Sequence, residues 1–183
     1  MKSLSAHFLV ASPQLLDPNF VKTVVLMIRH DEEGALGVVL NRPSDKTIQE
    51  LWAEVGDAPC DCRELVNLGG PVTGPILAIH TNQFFAELEI LPGLFLAATK
   101  EHLDELMLQK GDPLQVFSGH AGWGPGQLED EIEAGAWLTA PATFEDIFFD
   151  GADLWDKVTK HIGATSLRSM LNIKHMPDDP SIN

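Results

Sequence analysis

The stretch SGHAGWGPGQLEDEIEAGAW, residues Ser118–Trp137, carries the most structural information in the chain. Its glycines at positions 119, 122, 124 and 126 predict a loop, and such a loop can aim backbone N–H groups at an anion. Pro125 fits the first position of a helix of about ten residues that ends before Gly135. No Gly-Lys-Ser/Thr follows the glycines, and the acids of the helix would repel phosphate. The pattern therefore favours a structural role over anion binding.

The composition is that of an ordinary globular protein, with 44% hydrophobic and 21% charged residues among 183. One hydrophobic core suffices at this length, and we expect a single domain that spans residues 1–183. The net charge of −15 comes from 27 acidic and 12 basic residues, and no basic cluster interrupts it. Direct binding of nucleic acid is therefore not expected, because phosphate contacts supply most of its non-specific affinity.

Hydropathy and the N-terminal segment bear on location. A membrane-spanning helix needs about 20 apolar residues in succession, and the apolar runs of this chain are shorter. The N-terminal segment turns polar and proline-containing after a short apolar run, unlike a signal peptide. We therefore expect a cytoplasmic protein without a membrane partner.

The two cysteines, Cys60 and Cys62, form a Cys-x-Cys pair. A structural zinc site would need four Cys or His ligands, and a thioredoxin-like centre would need Cys-x-x-Cys. Arg63 beside the pair would favour a thiolate, which leaves a minor redox or metal-contact hypothesis. The pattern favours unpaired loop cysteines in a reducing compartment.

Apolar runs bounded by turn residues predict the strands. The run Val24–Ile28 is continuous instead of alternating, which indicates a strand covered on both faces. The turn Asp31–Gly34 after it predicts a β-hairpin. The predicted strands are His7–Ala11, Thr23–Ile28, Leu36–Leu40, Ile76–Ile79, Leu94–Ala98, Leu114–Ser118 and Trp137–Thr139.

Helices are predicted mainly in the second half of the chain. Thr47 and Glu50 have the spacing of a capping box that begins a helix ending at Val55. The other predicted helices are Lys100–Lys110, Ala142–Phe148 and Ala152–Ile162. Neighbouring strands followed by collected helices indicate an α+β fold. The polar, proline-broken end Met176–Asn183 is expected to be mobile unless it docks.

Taken in order, four segments carry a resemblance to a known family. They are Phe8–Pro43, Leu68–Val72, Ser118–Trp137 and the closing Asp179–Asn183. Together they resemble the AlgH/YqgE family of bacterial proteins, over nearly the whole chain. The resemblance implies a compact α+β fold in which a bifurcated β-sheet closes into a pseudo-barrel flanked by helices. It implies little about activity, because the family is largely uncharacterised. Some members are labelled transcriptional regulators, but no DNA-binding motif is present here.

The resemblance also marks candidate binding residues. At one of them, His120, the chain departs from the family pattern, which usually has an aromatic residue there. Arg42 presents a guanidinium fork suited to carboxylate or phosphate, although we favour an internal salt bridge for it. The candidates are His30, Asn41, Arg42, Gly69, Gly70, His120, Trp123, Gln127 and Glu129.

Two functional hypotheses remain open at this point. The favoured one is a non-enzymatic binding or regulatory module that holds a small molecule or a protein segment near Arg42, Gly69–Val72 and Ser118–Glu129. It requires no cofactor.

The alternative is a hydrolase-like or metal-assisted enzyme in which His30 or His120 acts as base or ligand, assisted by Glu129 or Glu131. No HExxH motif is present, so no metal is expected, and no GxSxG motif marks a serine nucleophile. Ser12 and Ser118 lack an identified base as nucleophiles.

Overall fold

The computed structural model describes residues 3–57, 59–109, 111–149 and 153–171. Its strands are β1 (His7–Ala11), β2 (Val24–Asp31), β3 (Gly34–Val39), β4 (Pro43–Thr47), β5 (Leu65–Leu68), β6 (Val72–His80), β7 (Leu88–Leu91), β8 (Leu94–Ala97), β9 (Leu114–Trp123) and β10 (Trp137–Pro141). Its helices are α1 (Ile48–Val55), α2 (Lys100–Leu108), α3 (Gln127–Glu133), α4 (Phe144–Ile147) and α5 (Leu154–Leu171), with a 3-10 turn at Gln83–Phe85. No helix within these ranges is long and apolar enough to cross a membrane.

The strands form one curled sheet that branches at β9. Its main path runs β10-β1-β2-β3-β9-β6-β8-β7, with antiparallel neighbours. Beside this path, β5 pairs with β9 in parallel and with β4 in antiparallel. The result is a half-barrel with helices outside it. The α+β class and the bifurcated sheet implied by the family resemblance are therefore confirmed.

Most predicted strands are confirmed, and β2 is buried through Val24–Ile28 as its continuous apolar run indicates. Asp31 pairs with Gly34 across a two-residue turn, so the predicted hairpin is also present. Three strands, β4, β5 and β7, were not predicted. They are five or four residues long and largely exposed, so their apolar pattern is weak.

The helix predictions are confirmed in place but not always in length. Thr47 and Glu50 form both hydrogen bonds of the capping box that begins α1. α2 begins at Lys100 as predicted and ends at Leu108, whereas α4 is only four residues long. The C-terminal segment Met176–Asn183 lies outside the described residues.

The prediction of a loop after Ser118 is wrong in its first part, because β9 continues through Gly119 and Gly122 to Trp123. The glycines at positions 124 and 126 do lie between β9 and α3. Gly119 has φ +75, and side chains change layers there: Phe117 packs in one core cluster and Ala121 in another. A Cβ at Gly119 would lie 2.8 Å from the carbonyl oxygen of Val72. Glycine is required at this position because a strand crosses close to neighbouring backbone.

The helix after this strand is also shorter than predicted. α3 begins at Gln127 and contains seven residues, with Gly126 in the left-handed conformation as its N-cap. Pro125 therefore precedes the helix and does not start it. Gly135 follows the helix with φ +78, as expected of a residue that ends a helix.

Three buried clusters fill the molecule, and we name each by the helix that covers it. The α5 core contains Phe8, Val24, Leu26, Val38, Phe117, Ile147, Leu154 and Val158. The α3 core contains Leu9, Val25, Met27, Ala35, Ala121, Trp123, Leu128 and Trp137. The α2 core contains Ile48, Trp52, Ala78, Leu103, Leu106, Met107 and Val116. The first two lie on opposite faces of β1 and β2, since their members alternate along both strands.

Candidate functional site

An open groove lies where the chain leaves β3 and where β5 ends. It encloses about 120 Å³. Leu68, which is 49% exposed, and Pro71 give it apolar walls. The complete lining is Asn19, Val39, Arg42, Leu68, Gly70 and Pro71. The structure therefore brings together two of the predicted site positions, Arg42 and Gly70.

Arg42 contributes the charge of this groove. Its Nη1 donates to the carbonyl oxygen of Pro18 at 3.2 Å, and its Nη2 donates to that of Val21 at 3.1 Å. No carboxylate within the described ranges forms an ion pair with it. The predicted internal salt bridge is therefore wrong. A guanidinium has five N–H donors, so Arg42 keeps donors beyond the two used here.

Asn41, the neighbouring candidate, has a structural role. Its Oδ1 accepts a hydrogen bond from the amide of Val24 at 2.9 Å, and its Nδ2 donates to the carbonyl oxygen of Lys22 at 2.9 Å. Together with Arg42, it fixes the loop between β1 and β2 along the edge of the groove. Asn41 is therefore occupied, while Arg42 still has donors available.

The floor of the groove is backbone. The amide of Gly69 donates to the carbonyl oxygen of Ser118 at 2.9 Å, and its own carbonyl oxygen accepts from Val39 at 2.8 Å. Gly70 has φ +153, and a Cβ there would lie 2.3 Å from the carbonyl carbon of His120. The two glycines allow the chain to pass directly against β9, so any larger residue would move the groove wall.

His30 and Glu129 form a pair elsewhere in the molecule. A β-bulge between Met27 and Arg29 shifts the alternation of β2, which places His30 opposite Ala35 on the α3 face. Its Nε2 lies 2.9 Å from Glu129 Oε1.

The hydrogen bonds of His30 determine its tautomer. Its Nδ1 accepts from the amide of Leu4 at 3.0 Å, so the ring proton is on Nε2 and donates to Glu129. With the side chain only 2% exposed, both nitrogens are committed to the protein. This histidine fastens the N-terminal segment and α3 to the sheet.

Glu131 belongs to an aromatic junction on the same face. Its Oε2 accepts from the indole nitrogens of Trp123 at 3.0 Å and Trp137 at 2.8 Å. Its Oε1 accepts from Gln127 Nε2 at 2.9 Å. Phe20 stacks against Trp123 and meets Trp137 edge-on. Trp123 and Gln127 are therefore structural partners of a carboxylate.

His120 lies on the opposite face of the sheet from this junction. Gly122, which shares its face, stands opposite Leu36, whereas Trp123 stands opposite Ala35 of the α3 core. A Cβ at Gly74 would lie 2.9 Å from His120 Nδ1, so the ring rests against the start of β6. The two histidines that were candidate bases therefore do not share a site.

The remaining candidates for chemistry give no assembled centre. The Ser12 hydroxyl is buried and has no hydrogen-bond partner within the described ranges. Cys60 and Cys62 are free, and burial raises the pKa of the Cys62 thiol, which opposes redox reactivity. In the part of the chain that the structure describes, no three Cys, His, Asp or Glu side chains are placed to hold a metal ion.

Sequence relatives agree with this architecture. A family model described as AlgH-like matches residues 8–166. The chain belongs to the AlgH-like family. A UPF0301 protein from Myxococcus xanthus is 41% identical over 169 residues, which cover 89% of this chain and 93% of that protein.

Two solved structures support the assignment to the AlgH-like family. The solution structure of the AlgH protein from Pseudomonas aeruginosa gives a TM-score of 0.73 at 32% identity, and covers 96% of both chains. The crystal structure of protein DIP2367 from Corynebacterium diphtheriae gives a TM-score of 0.70 at 27% identity, with 88% of both chains covered. The resemblance drawn from sequence motifs is confirmed.

Within this AlgH-like fold, the sequence hypothesis of a groove near Arg42 and Gly69–Val72 includes Pro71, and the family resemblance also marks Asn19. Val39 and Leu68 were not predicted. Leu68 precedes the two glycines in the motif Leu-Gly-Gly-Pro-Val, and a leucine beside a tight glycine passage is the signal that could have found it. Val39 carried no such signal, because only the tertiary fold brings it beside Arg42.

Proposed function

We propose that the protein is a non-enzymatic binding module whose groove takes a carboxylate-bearing ligand, either a small molecule or the end of a protein segment. The observation that supports this most is Arg42, a guanidinium that lines an open groove and has only backbone carbonyls as partners among the described residues. The net charge of −15 repels anions from most of the protein. Arg42 therefore gives the groove a local attraction for an anionic group.

The size and lining of the groove define the ligand further. The groove volume of about 120 Å³ is several times the roughly 10–15 Å³ that one water requires on the same measure. A carboxylate with a short apolar chain is of this size. Leu68 and Pro71 would contact the apolar part, and the fork of Arg42 would take the carboxylate oxygens.

The enzyme alternative has less support. Catalysis by His30 would need a free ring nitrogen near substrate, but Leu4 and Glu129 engage both nitrogens. His120 lies on the other face from Glu129 and Glu131, the acids that would assist it. A groove that binds without transforming its ligand requires none of these groups.

The proposal is tested by NMR titration of the purified protein with acetate, propionate and benzoate. We expect shifts of the amide resonances of Leu68 and Gly70, and tighter binding of propionate than of acetate. Arg42→Gln should weaken propionate binding at least about tenfold, which corresponds to about 1.4 kcal/mol.

Arg29→Gln is the matched control, because it removes the same charge from an exposed side chain paired with Asp31 at the other end of β2. Equal losses in both variants would mean a general charge effect and would contradict the groove. Titration with a hydrophobic dipeptide and its C-terminal amide separates the two ligand sources. Binding of the free acid alone indicates a chain terminus, whereas binding of propionate alone indicates a small molecule.

A further inference from the structure

His80, the last residue of β6, is a buried histidine whose ring forms no hydrogen bond of ordinary geometry within the described ranges. It is 1% exposed, and neither Nδ1 nor Nε2 has a hydrogen-bond partner among the residues that the structure describes. A neutral imidazole has one donor and one acceptor, and burying both without partners is unfavourable. Such a group indicates either a bound water or a functional device.

A small chamber adjoins this ring. Its volume of about 20 Å³ exceeds the roughly 10–15 Å³ that one water requires. The lining is His80, Thr81, Asn82, Leu106, Gln109, Asp112, Pro113 and Leu114. Asn82 Nδ2 donates to Gln109 Oε1 at 3.0 Å, which leaves the amide nitrogen of Gln109 as a donor for a water. The chamber is therefore both roomy and polar enough for one water.

The charged groups around His80 are few. Asp112 lines the chamber from the turn after α2, His102 approaches from α2, and Glu87 from the segment before β7. Burial lowers the pKa of His80; the Asn82 backbone and Glu87 oppose that shift, and His102 adds to it. Glu87 is itself committed, since its Oε1 accepts from Thr99 and from His102 Nδ1.

We propose that the His80 chamber is an acid-sensitive latch. One water bridges the neutral ring to the polar wall, and protonation of His80 releases α2 and the turn that follows it from the end of β6. A charged imidazole ring must reach either solvent or a carboxylate. Asp112 offers a carboxylate in the chamber wall, and because Asp112 is exposed, solvent lies beside it. Leu106 of α2 lines the same chamber, so a rearrangement of the charged ring there would displace the end of the helix.

The sign of the pH effect follows from the lowered pKa of the folded state. Above about pH 6.5 His80 is neutral in both the folded and the unfolded state, so the equilibrium constant for closing the latch has its highest value. Below that pH the opened or unfolded state binds a proton that the closed state does not. The closing equilibrium therefore weakens by up to about tenfold for each pH unit, until the folded ring is itself protonated.

Hydrogen exchange measured by NMR between pH 7.5 and 5.0 tests the latch. We expect the protection factors of the α2 amides to fall by up to about tenfold per unit below pH 6.5, while those of β2 hold. In His80→Phe the α2 protection factors should not depend on pH. The α2 protection factors of His80→Gln should also not depend on pH, because glutamine does not titrate. This variant keeps a polar group, and it replaces His80→Phe in the test if the phenylalanine variant does not fold.

His120→Gln is the control, because it removes a histidine that lies away from the chamber. It should keep the pH dependence of the parent protein. The latch is overturned if the α2 protection factors fall with pH as much in His80→Phe as in the parent protein. It is also overturned if the His80 ring resonances titrate near pH 6.5 without any loss of α2 protection.

Discussion

Two histidines buried at the ends of strands have opposite surroundings. His30 has a partner on each ring nitrogen, the amide of Leu4 and the carboxylate of Glu129. His80 has a partner on neither. Burial alone therefore does not show whether a histidine has a structural role. The hydrogen-bond partners of its two ring nitrogens do show it. The first residue fastens elements together, whereas the second leaves an unsatisfied group beside a water-sized chamber.

The difference arises from the strands that carry them. The β-bulge in β2 turns His30 onto the α3 face, where Glu129 is within reach. At the end of β6, Ala78 to His80 pair with β8 and β9 without a shift, so His80 faces the α2 core like Ala78. The apolar α2 core offers no partner to an imidazole, and Asn82 and Gln109 in the chamber wall bond to each other, which explains why the ring nitrogens have no partner among the described residues.

β9 connects these two regions, so disrupting it should affect both at once. Its first residue, Leu114, stands opposite His80, and its last, Trp123, stands opposite Ala35 beside His30. Gly119→Ala places a Cβ against backbone at positive φ, and we expect it to destabilise the protein by about 4 kcal/mol or more. Urea unfolding measures this.

Gly124→Ala is the matched control for that variant. Its nearest neighbour would be Gln127 Oε1 at 3.9 Å, an ordinary contact. It should change the free energy of unfolding by at most about 0.5 kcal/mol. Similar losses in the two variants would show that the crossing at Gly119 is not tightly packed.

Phenylalanine in place of His30 should be strongly destabilising. His30→Phe leaves the Leu4 amide and the Glu129 carboxylate without their partner, and we expect a loss of about 2–3 kcal/mol. Glu129→Gln keeps an acceptor for Nε2 and should cost less than about 1 kcal/mol. Equal effects of the two substitutions would contradict the tautomer assigned to His30.

The same substitution at His80 should have the opposite sign and a smaller size than at His30. His80→Phe removes two nitrogens that have no hydrogen-bond partner among the described residues and places a ring beside Phe95, whose centroid lies 6.1 Å from that of His80. We expect stabilisation by about 1 kcal/mol at pH 7.5, measured by urea unfolding. A loss as large as that of His30→Phe would show that His80 has strong partners in solution.

Local signals in the sequence were sufficient for much of the fold. The continuous run of β2 and the capping box at Thr47 have local causes, and both are present in the structure. β9 could not be predicted in full, because glycine has the same local signature in a loop and in a strand that passes close to backbone. The close approach of Gly119 to Val72 depends on tertiary structure.

The candidate site was less predictable than the fold. Arg42 was identified, but its partners are backbone carbonyls, which composition cannot distinguish from the many possible carboxylate partners. His30 drew attention as a candidate base, whereas His80, at the end of an ordinary apolar strand, carried no motif. Which histidine finds a partner is decided by a one-residue bulge, and no composition or spacing rule reveals it.

The branching of the sheet at β9 also sets an order of events during synthesis. β9 pairs with β3, β5 and β6, all of which leave the ribosome earlier. Until Trp123 has emerged, β3 and β6 each lack the neighbour that joins them, and their open edges can pair wrongly. Closure of the half-barrel is therefore a late, long-range event, and a translational pause just before Leu114 would prolong the most aggregation-prone stage of the nascent chain.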